Sequence, residues 1–75
     1  MIVDARGLIC PFPVVELGKA AASQPPGTAL TLLADDPVSL TDVPAWCRMR
    51  SSTLCGITEH DSYWEFEIVT ARSAG

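Results

Sequence analysis

Two prolines one residue apart, Pro11 and Pro13, fix where the first helix of this chain can begin. Proline lacks the amide N–H that a helix interior needs, and its ring clashes with the carbonyl four residues back. In the first turn the missing N–H costs nothing, because it has no intrahelical partner there. Proline also drives the residue before it out of helical geometry. A helix is therefore expected over residues 11–23, with Cys10 as N-cap, Pro11 at the first helical position and Pro13 at the third. The carbonyl that Pro13 would strike belongs to Ile9, which lies outside that helix.

This placement sets a thiol at the mouth of a helix. A helix N-terminus carries partial positive charge and favours an anion, and such positions lower thiol pKa values. The prolines restrict the effect by leaving only the Phe12 N–H free to point at the sulfur. The expectation is a modestly activated thiol on a stiff mount. The competing reading makes Cys10 a small buried apolar residue, as free cysteines often are; the reactive reading is preferred here. Phe12 falls on the polar face of the helix, one turn before Glu16. It either guides a partner protein to Cys10 or folds back over the helix end, and the sequence leaves both open.

Apolar periodicity supplies the remaining elements. A short strand over residues 2–5 feeds the Arg6-Gly7 turn. Val14, Leu17, Gly18 and Ala21 form the expected core stripe of the first helix. The Gln24-Pro25-Pro26-Gly27 run ends it. Residues 28–34 are apolar almost throughout, as in a central strand. A strand–helix–strand unit of this length implies parallel strands and a right-handed crossover. Asp35-Asp36-Pro37 reads as a turn with polar side chains, in preference to a metal site. A second helix over residues 40–50 has an ambiguous start. Ser39 with Asp42 is a partial capping box, but Thr41 as N-cap places Pro44 more easily. Val43 and Cys47 share its inner face, so Cys47 reads as core, and Trp46 as a cover for the helix–sheet junction. Residues 53–60 and 63–71 form a hairpin around Asp61-Ser62, with Trp64, Phe66 and Ile68 inward and Glu65 and Glu67 outward. Cys55, on the side of Ile57, reads as structural. His60 reads as solvated and has nothing to place it near Cys10. Residues 73–75 read as a frayed tail.

The order βαβαββ gives a two-layer α/β sandwich, a four-stranded mixed sheet with two helices on one face. The pattern Asp4-x-x-Gly7-x-x-Cys10-Pro11-x-Pro13 resembles the signature of the TusA/SirA/YedF family of sulfur carriers. The likeness continues through Lys19-Ala20, Pro26-Gly27, Ala34-Asp35-Asp36-Pro37, Asp42-Val43-Pro44 and Trp46-Cys47. It covers nearly the whole chain, and implies the same two-layer fold with sulfane sulfur carried as a persulfide on Cys10.

The chain's 75 residues make one domain, residues 1–75, and 48% of them are hydrophobic, which argues against disorder. No apolar run approaches the length of a membrane span. The start, Met1-Ile2-Val3-Asp4, lacks the features of a signal peptide, so a cytoplasmic location is expected. Three cysteines, none at C-x-x-C spacing, and a single histidine argue against a disulfide framework or a structural zinc. The net charge of −4 disfavours autonomous nucleic-acid binding.

The expected function is a sulfur carrier acting as a sulfurtransferase, with Cys10 loaded by a donor such as a cysteine desulfurase or rhodanese-like protein. Cys10 then relays the sulfur to an acceptor protein with a reactive cysteine. Pro11 and Pro13 support the helix start, Phe12 is available for docking, and Arg6 is available to steady an anion. No cofactor is called for, since the sulfur is the cargo. The alternative is a regulatory interaction module of the same fold with Cys10 structural. A selenium carrier would use the same thiolate geometry.

Overall fold

The computed structural model describes residues 1–70. The last residue expected in the hairpin and the tail at residues 73–75 lie outside the described residues. The elements run β1 (Ile2–Asp4), α1 (Phe12–Ala22), β2 (Ala29–Ala34), α2 (Ser39–Met49), β3 (Thr53–Glu59) and β4 (Trp64–Val69). They form one four-stranded sheet in the order β1-β2-β4-β3. The β1–β2 pair is parallel, with Ile2 opposite Thr31 and Asp4 opposite Leu33. The β2–β4 and β3–β4 pairs are antiparallel.

Alternation along the two central strands sends one set of side chains to the helices. Leu30, Leu32, Ala34, Phe66 and Ile68 are buried there against Leu17 and Ala20 of α1 and Val43, Trp46 and Cys47 of α2. Each large side chain so buried contributes roughly 1.5–3 kcal/mol, which makes these few positions the main source of stability in a chain with a thin core. Cys47 is core, as expected. The inner face of α1 is rotated from the expected stripe. Pro13, Leu17 and Ala20 are its buried residues, while Val14 and Ala21 pack at the margin. Gly18 turns toward α2 instead, where a Cβ would lie 3.7 Å from Trp46 Nε1. Trp46 thus closes the helix–helix contact.

Neither expected start of α2 is observed. Val38 is the N-cap, with no side-chain cap of its own, and Pro44 lies inside the helix. The first turn is tightened by Ser39 N–H to Asp36 O (2.9 Å), Leu40 N–H to Pro37 O (3.1 Å) and Thr41 N–H to Val38 O (3.0 Å). These three-residue bonds begin the winding one turn earlier than Thr41 would. The C-terminus of α2 is closed by Ser51 N–H to Arg48 O (3.3 Å) and Ser52 N–H to Cys47 O (2.8 Å), with Ser51 at φ 57°.

The hairpin departs from its expected pattern at one residue. Leu54 faces Ile68 and Gly56 faces Glu67, so Cys55 is the extra residue of a β-bulge. A bulge breaks the two-residue alternation. Cys55 is therefore exposed and off the face of Ile57, and β3 is an edge strand exposed except at Leu54, which packs against the core.

Because β1 and β2 are parallel and each leads into a helix, α1 and α2 begin at the same end of the sheet. Everything between strand and helix meets there: residues 5–11 after β1 and residues 35–38 after β2.

Candidate functional site

The segment joining β1 to α1 is held by its backbone. Gly7, at φ 86°, makes a turn that other residues enter only with strain. Its N–H donates to both carboxylate oxygens of Asp35, at 3.0 and 2.9 Å. Three residues later the Cys10 N–H donates to Asp36 Oδ2 at 2.8 Å. The other oxygen of Asp36 accepts the Val38 N–H at 3.0 Å. The two acids expected to be turn residues thus tie the cysteine segment to the entrance of α2. They act between segments, and nothing in the local sequence announces a partner so far away in the chain.

The start of α1 is one residue later than expected. Pro11 is the N-cap, and its carbonyl accepts the Val15 N–H at 3.0 Å; Pro13 is near the start of the helix and fully buried. The Cys10–Pro11 peptide is cis. The Phe12 N–H, expected to face the sulfur, donates to Ile9 O at 2.9 Å. The residues 9–12 form a turn that consumes the one amide the prolines leave.

The sulfur of Cys10 is half-buried and faces α2. Its Sγ lies 3.5 Å from Oγ of Ser39, the first residue of that helix, whose side chain is fully buried. The thiol pKa is pushed up, contrary to the expected activation. Burial is the first cause, the Ser39 hydroxyl opposes it, and the carboxylates of Asp42 and Asp36 add to the rise. The neutral thiol is thus favoured in the free protein.

The remaining residues singled out in the sequence are dispersed. Arg6 is engaged with Asp4, through Nε to Oδ1 at 2.9 Å and an NH2 group to Oδ2 at 2.8 Å, and its guanidinium lies 5.0 Å above the Tyr63 ring. Those hydrogen bonds hold Asp4 down at about 2. Arg6 is not among the groups that act on the Cys10 thiol. His60 is not free in solvent: Nε2 is 2.9 Å from Glu65 Oε1 and the ring stacks on Tyr63 at 4.6 Å. Phe12 is 54% exposed, as its polar-face position implies. Ile9, Val38 and Leu40, which flank Cys10 and Ser39 in the chain, are exposed as well. Burial, and then the Cys55 charge, raise the Cys47 thiol.

The arrangement offers one partly accessible sulfur, a fixed backbone beneath it, a hydroxyl against it and exposed apolar residues beside it in the chain. Comparison with known proteins matches this chain to the family described as "Sulfurtransferase TusA", over residues 1–70. The sulfur carrier protein TusA of Buchnera aphidicola subsp. Baizongia pistaciae is 33% identical over 67 residues, covering 89% of this chain and 85% of that protein. A candidate sulfur carrier protein of Archaeoglobus fulgidus is 29% identical over 68 residues, covering 91% of this chain and 93% of its own. Among solved structures, a SirA-like protein from Desulfitobacterium hafniense superposes with a TM-score of 0.81 at 29% identity, covering 96% of this chain and all of that one. No helix among the described residues is long and apolar enough to cross a membrane.

Proposed function

The chain belongs to the TusA sulfurtransferase family, and from that premise we propose that Cys10 carries sulfane sulfur as a persulfide between two protein thiols in the cytoplasm. In the first step the Cys10 thiolate attacks the terminal sulfur of a donor persulfide. The donor's S–S bond breaks, its thiolate leaves, and the new S–S bond is on Cys10. In the second step an acceptor thiolate attacks the terminal sulfur and the Cys10 thiolate departs. Sulfane sulfur changes hands with no net oxidation, and no cofactor enters either step.

The observation that carries this reading is the position of Cys10, the half-buried sulfur where both helices begin. A raised thiol pKa makes the thiolate scarcer, a stronger nucleophile when formed, and a poorer leaving group. That balance suits a carrier that must keep its sulfur between encounters. Donors of the cysteine desulfurase or rhodanese type, and acceptors with a reactive cysteine, fit the chemistry.

Intact-mass measurement after incubation with a persulfide donor tests the reading. One sulfur should add, be removed by reductant, and map to Cys10. Cys10→Ser should take none, while Cys47→Ser and Cys55→Ser load as the parent does. Equal inertness of all three thiols would favour the regulatory interaction module instead.

A further inference from the structure

We infer that Ser39 is the hydrogen-bond donor to the Cys10 sulfur when that sulfur bears charge, in both halves of the transfer. The inference rests on the reading of Cys10 as the sulfur-bearing residue. A hydroxyl that is wholly buried costs stability unless it is partnered. The only side-chain hydrogen bond of Ser39 Oγ among the described residues is to Cys10 Sγ, at 3.5 Å. The site thus commits a buried polar group to one sulfur.

Position explains the role. Ser39 is the first residue of α2, and its amide is occupied by the Asp36 carbonyl at 2.9 Å. Its backbone is therefore fixed, and its side chain reaches from one helix start to the sulfur beside the other. A hydroxyl suits both states of the sulfur. It accepts from the neutral S–H and, by rotating, donates to the thiolate. The charged groups acting on the sulfur are Asp36, from the segment before α2, and Asp42, on α2, and both disfavour the anion. The Phe12 amide is spent on Ile9, and Arg6 is spent on Asp4. That leaves Ser39 as the group that favours charge on Cys10. In loading it stabilises the attacking thiolate; in release it stabilises the same atom as the departing one.

The test is Ser39→Ala, nearly the same size, with Ser39→Thr as the variant that keeps a hydroxyl. Folding of each is checked by circular dichroism. The first readout is the pH profile of Cys10 alkylation by iodoacetamide, read at that peptide by mass spectrometry. For Ser39→Ala the profile should move to higher pH, with the neutral-pH rate down about two- to fivefold, the size expected from a modest hydrogen bond partly offset by higher intrinsic nucleophilicity. Its alkaline plateau should equal or exceed the parent's, which a collapsed site would not allow. Ser39→Thr should restore the parent profile. The second readout loads Cys10 with inorganic polysulfide and releases the sulfur with cyanide. Cyanide takes the terminal sulfur as thiocyanate and the Cys10 thiolate leaves; Ser39→Ala should slow this step. A folded Ser39→Ala with the parent's pH profile and release rate would overturn the assignment. If the parent takes no sulfur from polysulfide, the carrier reading fails, and the alkylation profile still decides the role of Ser39.

Discussion

One carboxylate does two opposed things at the site. Asp36 accepts the Cys10 amide and so fixes the backbone beneath the sulfur, while its charge resists a thiolate on the same residue. Asp36→Asn keeps an acceptor and removes the charge. Cys10 should become more acidic, and its alkylation near neutral pH should be faster; slower alkylation in the folded variant would mean the carboxylate was aiding the anion. The acid limb has its own sign. The amides of Cys10 and Val38 hold Asp36 below its ordinary range. Its contribution is then complete above the unfolded value of about 4 and is lost as pH falls through the lower folded value. Amide exchange at Cys10 and Val38, corrected for intrinsic rates, should be level from neutral pH to about 4 and quicken only in stronger acid.

At the level of elements, the turn after α2 is an αL helix end built without glycine. Ser51 at φ 57° donates one closing hydrogen bond and sets Ser52 to donate the other, in a conformation where a side chain costs on the order of 1–2 kcal/mol. Ser51→Gly removes that strain at the expense of a more flexible unfolded chain. A net gain of about 0.5–1 kcal/mol is expected, seen as a higher urea midpoint at unchanged slope. The same turn shows what the sequence conveys and what it conceals. The order of strands and helices, the parallel β1–β2 pair and the inward set Phe66 and Ile68 were legible, because periodicity records burial; the start of α2 and the inner face of α1 were not. The bulge at Cys55 was not, since one inserted residue leaves the apolar pattern readable in the wrong phase. The place of Cys10 at the entrance to α1 was legible from its prolines. The contacts of Asp35, Asp36 and Ser39 with that segment were not, because they depend on the sheet bringing residues 35–39 beside residues 7–10. The one available signal was their place just after the strand paired to β1, where a second helix begins.

Over the whole molecule, the parallel β1–β2 pair gathers the chemistry at one end. Ile9, Phe12, Val38 and Leu40 are exposed there, contributed by both strand-to-helix segments and the first turns that follow. A thiol on another protein can reach Cys10 only by approaching that end. Phe12→Ala should weaken complex formation with a sulfur donor or acceptor by about 1–2 kcal/mol, as for a modest interface anchor, measured by titration calorimetry. Its small-reagent alkylation rate should stay at the parent's level; a parallel loss of both would mean that Phe12 holds the shape of the site instead. The opposite end has a different character. Met1 hydrogen-bonds into the start of β2 through Thr31 N–H at 2.8 Å, and Thr70 pairs with Thr28 at 2.9 Å. Met1 and Thr70 therefore flank β2 on its two sides, at the end of the sheet away from Cys10. A fluorescent label or a bead attached through Met1 would sit behind Cys10. The protein could be anchored there and still present its sulfur outward.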